Sequence, residues 1–403
     1  MNILFLALAK LQTIHSPGIY TDLLRQFAGE GHAIYLVTAD EEAPQNGPAY
    51  TLTEEKGAKI LTVRTGRIQQ TGILEKGINT VLLEKRFISA INKAFEGVRF
   101  DLILYPTPPI TFVGVVEHLK ERDGARTYLL LKDIFPQNAV DLGMMSTGGA
   151  KGLLYRYFRS QEQRLYAVSD SIGCMSKANV LYLIQHNPEI NPEKVGVFPN
   201  SIEVVDRRVD DSAAAAIREK YGIPADKKVF VYGGNLGRPQ GIPFLIQCLE
   251  ACLDLDCLFL IIGDGTDYPL LESYARTSGQ NNLKLMKRIP KEDYDKMVGA
   301  CDVGMIVLDH RFTIPNFPSR LLSYLQAGLP VMACTDPNTD IGQVVTEGGF
   351  GWWCESNREE GFRAVVKEIL AMPREELIRK GDLGFAYLDK EYNVKNLYRS
   401  MIG

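Results

Sequence analysis

Short apolar runs alternate with amphipathic helical patterns along most of the chain. In the first half, apolar runs lie at 3–9, 33–38, 102–105 and 127–131, with helical patterns at 20–30 and 112–122. Apolar runs of this length between helices are typical of parallel strands that are buried on both faces and joined by crossover helices. The first half therefore predicts a doubly wound, parallel α/β sheet.

The same alternation restarts after Pro199 and Asn200. Apolar runs lie at 229–232, 258–262, 283–286, 303–307 and 331–333, with helical patterns at 243–253 and 268–277. A chain of 403 residues exceeds what one hydrophobic core usually supports. The interval 205–216, between the two halves, is polar and rich in charge, so we place the domain boundary near 200–210. We therefore predict two α/β domains, with ligands bound at the carboxyl ends of their strands, in a cleft between the domains.

Charge and cysteine content exclude several classes of protein. The chain carries 45 Lys and Arg against 49 Asp and Glu, and this net charge of −4 provides no global positive field to recruit nucleic acid. Seven cysteines without a CxxC pair argue against a disulfide framework or a structural zinc site, and favour buried thiols in a reducing compartment. The five histidines show no metal-binding spacing. We expect no catalytic metal.

The apolar runs also bear on membrane association. Each is shorter than the roughly 20 residues that span a bilayer. The run at 3–9 is too short for a signal peptide and lacks its basic flank, so it predicts a buried strand. The interval 64–99 carries seven basic residues against three acidic ones. It predicts either a basic amphipathic surface for a membrane or lipid substrate, or an ordinary solvated helix face. Its basic residues are Arg64, Arg67, Lys76, Lys85, Arg86, Lys93 and Arg99.

A glycine-rich segment, 233–241, follows the first apolar run of the second half. Glycines let backbone amides approach an oxyanion closely, and Arg238 adds a fixed positive charge suited to a diphosphate. The spacing is not that of a P-loop, nor G-x-G-x-x-G in register. A second tight turn, 263–266, ends the next apolar run. Two such turns point to one ligand, although a purely structural turn is the alternative for the first.

Pro318 and Ser319 indicate the start of a helix, with Ser319 beside the free amides of the first turn. Arg320 then falls in that first turn, where a cation is unfavourable. This placement suggests a bound anion. The alternative is that Arg320 pairs with a nearby carboxylate.

Polar residues also end the apolar runs of the first half. Lys132 and Asp133 follow the run 127–131, where buried charges are costly unless they are paired or used. They are therefore either functional or a structural ion pair. A rigid turn containing Thr107 and Pro108 closes another run, and the loop 10–18 before the first helix could cradle a phosphate or a second substrate.

In their joint order these motifs resemble the donor half of the family 4 glycosyltransferases with the GT-B fold. The resemblance rests on 233–241, 263–265, 318–324 and 327–331 in the second half, and on 107–109, 132–136, Ser176 and 197–201 in the first. Within that family the pattern is most similar to the bacterial N-acetylfucosamine-transferase-like branch of surface-polysaccharide synthesis, including capsule and O-antigen synthesis. The resemblance covers nearly the whole chain.

This resemblance implies a domain plan. It places an acceptor-binding Rossmann-like domain at 1–203 and a nucleotide-sugar-binding Rossmann-like domain at 204–384, facing each other across a cleft. A C-terminal helix, 385–403, would cross back onto the first domain.

The resemblance also implies an activity. It implies transfer of an N-acetylated or deoxy sugar from a UDP-sugar, with retention at the anomeric carbon and without a metal or other cofactor. The acceptor would be a polyprenyl-diphosphate-linked saccharide or an oligosaccharide. The protein would be cytoplasmic and would associate peripherally with the inner face of the cytoplasmic membrane.

The family's functional positions can be carried over residue by residue. Arg238 and Arg320 would stabilise the leaving diphosphate, and Asp133, with Lys132, would orient or polarise the acceptor. Donor-binding residues would be Gly234, Asn235, Gly237, Arg238, Gln240, Gly263, Asp264, Gly265, Ile289, Pro290, Pro318, Ser319, Arg320, Leu321 and Ser323, with Ile289 and Pro290 beside the base. Acceptor-binding residues would be Ser16, Gly18, Thr107 and Pro108.

The sequence departs from the family at several positions. Asn235 and Gln240 stand where many relatives carry Arg and Lys, and Pro315 and Ser323 stand where an E-x7-E pair is common. The usual ribose contact and sugar-orienting carboxylate are therefore missing, and the sugar is left open. Lys132 replaces a common His, which leaves the identity of the general base open. Two alternative functions remain: another GT-B enzyme such as a nucleotide-sugar 2-epimerase or a phosphorylase, and a non-catalytic nucleotide-sugar-binding subunit.

Overall fold

The computed structural model of the protein describes residues 1–44, 46–66, 73–279 and 281–402. The chain forms two compact units. The first comprises Met1–Glu203 and Val394–Gly403, and the second comprises Val204–Asn393. Each unit is built on a mainly parallel sheet covered by helices, so the predicted fold class of two Rossmann-like α/β domains is confirmed.

The first unit contains an eight-stranded sheet in the order β3-β4-β2-β1-β5-β6-β7-β8. The strands are β1 (Asn2–Ala7), β2 (Ala33–Asp40), β3 (Tyr50–Glu55), β4 (Ala58–Arg64), β5 (Leu102–Pro106), β6 (Arg126–Leu131), β7 (Ser171–Cys174) and β8 (Val195–Val197). The helices are α1 (Ile19–Gly29), α2 (Ile73–Ala94), α3 (Val113–Asp123), α4 (Gln137–Asp141), α5 (Gly149–Val168), α6 (Lys177–His186) and α15 (Val394–Ile402). The β3–β4 pairing is antiparallel, whereas the other strands of this sheet pair in parallel.

Strand β1 lies in the middle of this sheet, between β2 and β5. Its side chains from Ile3 to Ala7 are completely or almost completely buried, as the continuous apolar run at 3–9 predicts for a strand covered on both faces. The same core contains Val394 and Met401 of α15. The C-terminal helix therefore completes the hydrophobic core of the first unit.

The second unit contains a six-stranded parallel sheet in the order β11-β10-β9-β12-β13-β14. The strands are β9 (Lys228–Asn235), β10 (Cys257–Asp264), β11 (Leu283–Met286), β12 (Val303–Val307), β13 (Val331–Thr335) and β14 (Gly351–Glu355). The helices are α7 (Asp211–Lys220), α8 (Ile242–Ala251), α9 (Tyr268–Thr277), α10 (Lys291–Gly299), α11 (Arg320–Gln326), α12 (Ile341–Glu347), α13 (Glu359–Ala371) and α14 (Arg374–Glu391).

The core of the second unit packs aromatic rings of two neighbouring strands against a ring of a covering helix. The ring centroid of Phe259 in β10 lies 5.3 Å from that of Phe230 in β9 and 6.0 Å from that of Phe362 in α13. All seven cysteines of the chain are free and buried, as predicted. In the described ranges, no helix is long and apolar enough to cross a bilayer.

Two details at the unit boundaries differ from the sequence expectations. The polar interval 205–216 contains the start of α7, capped by Asp210, whose side chain accepts a hydrogen bond of 2.7 Å from the Ala213 amide. Residues 385–391, which we expected to begin a helix on the first domain, form the end of α14 in the second unit. There the Tyr387 ring lies 5.1 Å from that of Phe350, because this face of α14 is apolar. The helix that joins the first unit begins at Val394.

Candidate functional site

The two glycine turns of the second unit lie side by side. Gly234 pairs in register with Gly263, and Asn235 pairs with Asp264, at the carboxyl ends of β9 and β10. The amide of Leu236 donates a hydrogen bond of 2.9 Å to the Asp264 carbonyl. Both turns therefore open at the same edge of the sheet, the edge at which parallel α/β sheets bind ligands.

Glycine is required at the end of β9 by close packing. A Cβ atom at Gly233 would collide with the Tyr294 hydroxyl. Gly234 has a φ of +133°, a conformation that L side chains rarely adopt, and it is exposed. The backbone at 234–235 is therefore free of side-chain cover on its outer side.

Arg320, the first residue of α11, lies directly beside this backbone. Its guanidinium carbon is 4.1 Å from the centroid of the Tyr232 ring, in cation–π geometry. Its Nη2 would be 3.5 Å from a Cβ placed on Gly234. Its Nη1 is buried and has no hydrogen-bond partner in the structure. In the described part of the chain Arg320 forms no ion pair, so the alternative of a carboxylate partner does not hold there.

Two further tyrosines fix the position of Arg320. The Tyr324 hydroxyl donates a hydrogen bond of 3.0 Å to the Met305 carbonyl and accepts one of 3.2 Å from the Gly233 amide. Tyr324 thus ties α11 to β9 and β12. Tyr294 approaches from α10, and burial raises the pKa of its hydroxyl to about 12. We use the name arginine cluster for four residues: Tyr232, Tyr294, Arg320 and Tyr324. In this cluster the positive charge of Arg320 is surrounded by aromatic rings, and none of its members is an anion.

Three other residues predicted to bind the sugar donor lie near the arginine cluster and differ in how exposed they are. Arg238 is exposed, and its side chain makes no hydrogen bond or ion pair with the residues that the structure describes. Ile289 is partly buried and Pro290 is exposed, immediately before α10, and the Pro290 carbonyl accepts a hydrogen bond of 2.9 Å from the Tyr294 amide. These three residues lie on elements that also contribute to the arginine cluster or to its glycine turn.

Gln240 has an internal role that sequence reasoning missed. Its side chain is buried, and its Oε1 accepts a hydrogen bond of 3.1 Å from the Gly237 amide and one of 3.4 Å from Asn235 Nδ2. Gln240 therefore holds the loop 235–240 in shape. The short spacing between Gly237 and Gln240 is the signal that could have revealed this.

The helix start at 318–323 differs in part from the sequence expectation. Helix α11 begins at Arg320, and the Ser319 hydroxyl makes no capping hydrogen bond. The Ser323 hydroxyl donates a hydrogen bond of 2.9 Å to the Arg320 carbonyl, and Leu321 is fully buried. Leu321 can therefore meet a ligand only through its backbone, whereas Pro318 is partly buried and Ser319 is exposed.

The second glycine turn is held by its own aspartate. Asp264 Oδ1 accepts a hydrogen bond of 2.9 Å from the Gly265 amide, and Asp264 is exposed. A Cβ on Gly263 would collide with the Gly234 carbonyl, so these two backbones are in close contact. Sequence reasoning placed this turn but gave no sign of that contact.

A buried turn after β13 supports the loop that precedes Arg320. Asp336 Oδ1 accepts hydrogen bonds of 2.9 Å and 3.2 Å from the amides of Asn338 and Thr339, while its Oδ2 is buried without a partner. Burial raises the pKa of Asp336 to about 6. The side chains of Asn338 and Thr339 donate to the carbonyls of Phe312 and Asn316. Sequence reasoning missed this turn because its contacts are distant in the chain.

In the first unit, Lys132 and Asp133 follow the end of β6, as the apolar run predicted. The Lys132 ammonium donates a hydrogen bond of 3.2 Å to the Phe198 carbonyl and lies 5.5 Å from the centroid of the Phe198 ring. Burial lowers the pKa of Lys132 to about 7. A lysine in this position exchanges its proton near neutral pH.

Asp133 has different partners. Its Oδ2 accepts a hydrogen bond of 2.7 Å from Asn138 Nδ2. Burial, with a smaller contribution from the nearby Glu162 carboxylate, raises the pKa of Asp133 to about 6. In the described chain no ion pair joins Lys132 to Asp133, so the structural ion pair considered from the sequence is absent there. We call Lys132 and Asp133 the acid–base pair of the first unit.

Thr107 and Glu162 both influence the acid–base pair, Thr107 through the backbone and Glu162 through its charge. Thr107 Oγ1 accepts hydrogen bonds of 3.0 Å and 3.2 Å from the amides of Lys132 and Asp133, and donates one of 3.0 Å to the Asp133 carbonyl. Thr107 is buried, so it positions the backbone and is not open to a substrate, whereas Pro108 is exposed. Glu162 in α5 is held by Arg159 and by the Tyr166 hydroxyl at 2.7 Å. No local sequence signal connects Glu162 with Asp133.

The loop before α1 lines a surface pocket of about 390 Å³ that includes Ser16 and Gly18. The amide of Gly18 is already bonded, since it donates 2.9 Å to Asp22 Oδ1. Asp22 also accepts a hydrogen bond of 2.8 Å from the Glu203 amide, and it forms an ion pair with Arg25 at 2.6 Å. An internal carboxylate therefore occupies the start of α1, which disfavours the phosphate cradle considered from the sequence and leaves the exposed Ser16 as the open side chain.

The basic interval 64–99 is only partly described, and Arg67 lies outside the described residues. Three of its arginines donate to backbone carbonyls, Arg64 to Gly47, Arg86 to Thr65 and Arg99 to Asp123. In the C-terminal part of α2, Leu82 and Ile88 are partly buried, and four other apolar side chains are buried: Leu83, Phe87, Ala90 and Ile91. Lys85 and Lys93 are exposed without apolar neighbours of comparable exposure on that part of the helix, which favours the solvated helix face.

The described residues contain no group of three His, Cys, Asp or Glu side chains that could hold a metal ion. The side chains that could meet an anion are those of Arg320 and Arg238, beside the exposed backbone of Gly234 and Asn235. In the first unit, the side chains of the acid–base pair could move a proton near neutral pH. The arrangement therefore offers anion binding in one unit and proton transfer in the other.

A family model agrees with the anion-binding half. Residues 214–382 match the family described as glycosyl transferases group 1. This segment contains both glycine turns and the whole arginine cluster. The matched segment covers most of the second unit.

Distant relatives extend over most of the chain. The chain is 23% identical over 364 residues to WbjE of Pseudomonas aeruginosa, a protein designated as a glycosyltransferase, covering 88% of this chain and 86% of the relative. It is also 23% identical over 399 residues to WcaI of Escherichia coli strain K12, designated as a colanic acid biosynthesis glycosyl transferase, covering 96% and 95%. The Anabaena protein Alr3699/HepE, solved in complex with UDP, superposes with a TM-score of 0.67 at 14% identity, covering 100% and 98%. The chain has the GT-B fold of these glycosyltransferases and is related to bacterial polysaccharide biosynthesis enzymes.

Proposed function

We propose that the protein transfers a sugar from a UDP-sugar to a polyprenyl-diphosphate-linked or oligosaccharide acceptor in bacterial cell-surface polysaccharide synthesis. The transferred sugar in this proposal is N-acetylated or deoxy, as in the branch that the sequence resembles. Transfer proceeds with retention at the anomeric carbon and needs no metal. The reaction takes place at the cytoplasmic face of the membrane.

The observation that carries the proposal is the buried Nη1 of Arg320, which has no partner. A buried charged donor without an acceptor is costly, and a protein retains it where a ligand supplies the acceptor. The exposed backbone of Gly234 lies beside it. A diphosphate oxygen would satisfy Nη1 in charge-assisted geometry, which is the strong form of hydrogen bond.

The same residues would stabilise the leaving group. As the bond between the sugar and the diphosphate breaks, negative charge builds up on the diphosphate oxygens. Arg320, held in advance by Tyr232 and Tyr324, would meet that charge without reorganising, and this is the most effective form of electrostatic catalysis. Arg238 would add a second, more solvated charge. In this proposal the two arginines take the place of a metal ion.

The acid–base pair would handle the acceptor. With a pKa near 6, Asp133 is mostly ionised at neutral pH and can accept a hydrogen bond from an acceptor hydroxyl. Lys132 interconverts between its charged and neutral forms at the same pH. For retention, a donor phosphate oxygen would take the acceptor proton on the face from which the diphosphate leaves. Asp133 would then orient the hydroxyl and need not remove its proton.

Two of the relatives support the nucleotide and the pathway class. Alr3699/HepE was solved with UDP bound, and WcaI is designated for biosynthesis of a polysaccharide. The resemblance of the motif 318–324 to the N-acetylfucosamine-transferase-like branch supports the type of sugar.

The first test is thermal stabilisation by UDP, GDP, dTDP and ADP at matched concentrations. A ligand at 100 times its Kd adds about 2.7 kcal/mol of stability, so a UDP-selective rise is expected. Arg320→Ala should abolish this rise, whereas Arg276→Ala, at an exposed arginine of α9, should retain it. Equal stabilisation by all four nucleotides, or an undiminished rise in Arg320→Ala, would contradict the donor assignment.

A second measurement separates transfer from the alternative functions. Consumption of a UDP-sugar should require an acceptor saccharide. Isomerisation of the sugar nucleotide without an acceptor would indicate an epimerase. UDP binding with no turnover on any lipid-linked or soluble saccharide would indicate a binding subunit.

A further inference from the structure

Helix α5 exposes large apolar side chains near its start. Leu153 is 68% exposed, Leu154 is 45% exposed and Tyr157 is 44% exposed. Residues three and four positions apart share a helix face, so these side chains lie together. Met144, in the turn before the helix, is also exposed. Single exposed leucines are ordinary, but a group on one helix face indicates a surface that meets another body.

The exposed charged side chain within this group is basic. Between residues 142 and 161 the sequence contains Lys151, Arg156 and Arg159 and no acidic residue, and Arg159 is paired with Glu162. Arg156 is exposed, and it lies in sequence between Leu154 and Tyr157. Apolar and aromatic side chains mixed with basic ones match the interface of an anionic bilayer, where apolar groups enter and cations meet headgroups.

The opposite side of the same helix reaches the acid–base pair. The Phe158 ring lies 5.1 Å from that of Phe135, two residues after Asp133. One turn later, the buried Glu162 raises the pKa of Asp133. Helix α5 therefore connects an exposed apolar surface with the residues that we assign to the acceptor.

We propose that Leu153, Leu154, Arg156 and Tyr157, together termed the α5 surface, bind an anionic lipid bilayer. The apolar side chains enter the headgroup region, and Arg156 contacts lipid phosphates. The purpose of the surface rests on the proposed function, because a polyprenyl-diphosphate acceptor is held in a bilayer. The binding itself requires neither donor nor acceptor.

The test is co-sedimentation of the full chain with vesicles of phosphatidylcholine and phosphatidylglycerol, compared with vesicles of phosphatidylcholine alone. The wild-type protein should bind the anionic vesicles more strongly. The triple variant Leu153→Ser, Leu154→Ser, Tyr157→Ser should bind them at least about tenfold more weakly, since each apolar group removed lowers the affinity for the interface. Arg156→Gln should lose the preference for anionic vesicles and keep the weaker binding to neutral ones.

The matched control is Leu253→Ser with Leu270→Ser, two leucines of the second unit that are 53% and 49% exposed. This control should bind vesicles like the wild type. A cooperative thermal unfolding transition, measured on each variant, checks that it is folded. Variant Arg156→Gln alters no apolar group and keeps the test valid if the triple variant does not fold.

Equal vesicle binding by the wild type and both variants, or no binding by the wild type, would overturn the proposal. Loss of self-association in the triple variant, with vesicle binding unchanged, would assign the α5 surface to a second copy of the chain and likewise overturn it. If vesicle binding follows the variants as expected but UDP does not stabilise the wild type, the α5 surface stands and the proposed function falls.

Discussion

The acid–base pair and the arginine cluster show two ways to keep charge at the end of a parallel sheet. Burial shifts the pKa of Lys132 and that of Asp133 toward neutral pH, so neither group is held firmly in its charged form. Arg320 is too basic to lose its proton and keeps its charge against the Tyr232 ring, with one donor unsatisfied. The first unit therefore holds groups that exchange protons, and the second holds a permanent cation.

This difference assigns separate experimental signatures to the two units. Effects of pH on transfer should originate in the acid–base pair of the first unit and in Asp336 of the second unit, whose pKa is about 6. Affinity for an anion and its dependence on salt should originate in the second. Variants at each place can therefore break or sharpen the comparison.

The largest effect is expected from Arg320→Ala. The fall in kcat/KM should correspond to a loss of about 2 to 4 kcal/mol of transition-state stabilisation, because a preorganised hydrogen-bond donor to the leaving group is removed. Steady-state kinetics with a UDP-sugar measure the loss. Arg320→Lys keeps the charge without the planar guanidinium and should recover only part of the activity. Unchanged kcat/KM in Arg320→Ala would show that the permanent cation of the second unit does not stabilise the leaving group.

A smaller effect is expected from Arg238→Ala. A hydrogen bond to a charged group contributes about 1.5 to 3 kcal/mol, and the exposure of Arg238 places it at the lower end. The loss should shrink as salt is raised, since exposed charges are screened. Kinetics at low and high salt measure both. A loss that is larger than that of Arg320→Ala and independent of salt would reverse the ranking of the two arginines.

Asp133→Asn should separate stability from activity. The pKa of Asp133 in the folded protein is about 6 against an ordinary 3.8, so the fold favours the neutral acid. The stability from this group is complete below pH 3.8 and is lost as the pH rises through about 6. At about pH 8 the variant should therefore be more stable to denaturant, by about 1 to 2 kcal/mol after allowing for partial exposure, and less active. The gain should vanish near pH 4. A destabilised variant at about pH 8 would show that the carboxylate is a structural group.

The smallest effect is expected from Gln240→Ala. It removes the acceptor for the Gly237 amide, which is worth about 1 kcal/mol, and it should weaken UDP binding several-fold by loosening the loop. Gln240→Met keeps the length of the side chain without its acceptor oxygen and should weaken binding to a similar extent. Titration calorimetry with UDP measures both. Wild-type affinity in both variants would show that the loop shape does not depend on this contact.

The elements that the sequence predicted best have a clear apolar periodicity and polar residues at both ends. Helix α9 and strands β11 and β12 have the predicted bounds, because apolar periodicity and flanking polar residues agree there. The antiparallel strand β3 was not predicted, because it is mostly exposed and Leu52 is the only aliphatic residue in its sequence, Tyr-Thr-Leu-Thr-Glu-Glu. The break between α14 and α15 was also missed, because both helices are amphipathic.

The site was predictable where function depends on local backbone. The adjacent glycine turns follow from two strand ends with the same character, and Arg320 stood out as a cation in a first helical turn. The aromatic setting of Arg320 and the influence of Glu162 on Asp133 depend on contacts between residues that are distant in sequence. No local pattern encodes such contacts.

The attachment of α15 to the first unit has a consequence for the order of folding during synthesis. The second unit is a continuous stretch of chain, whereas the first unit is interrupted by it and resumes at Val394, whose amide donates 3.0 Å to the Ile202 carbonyl. The ribosome therefore completes every residue of the second unit before it makes the ten residues that close the first. The unit that begins first is the last to have a complete core, and until then its apolar surface beneath Val394 and Met401 is open to chaperones and to misassembly.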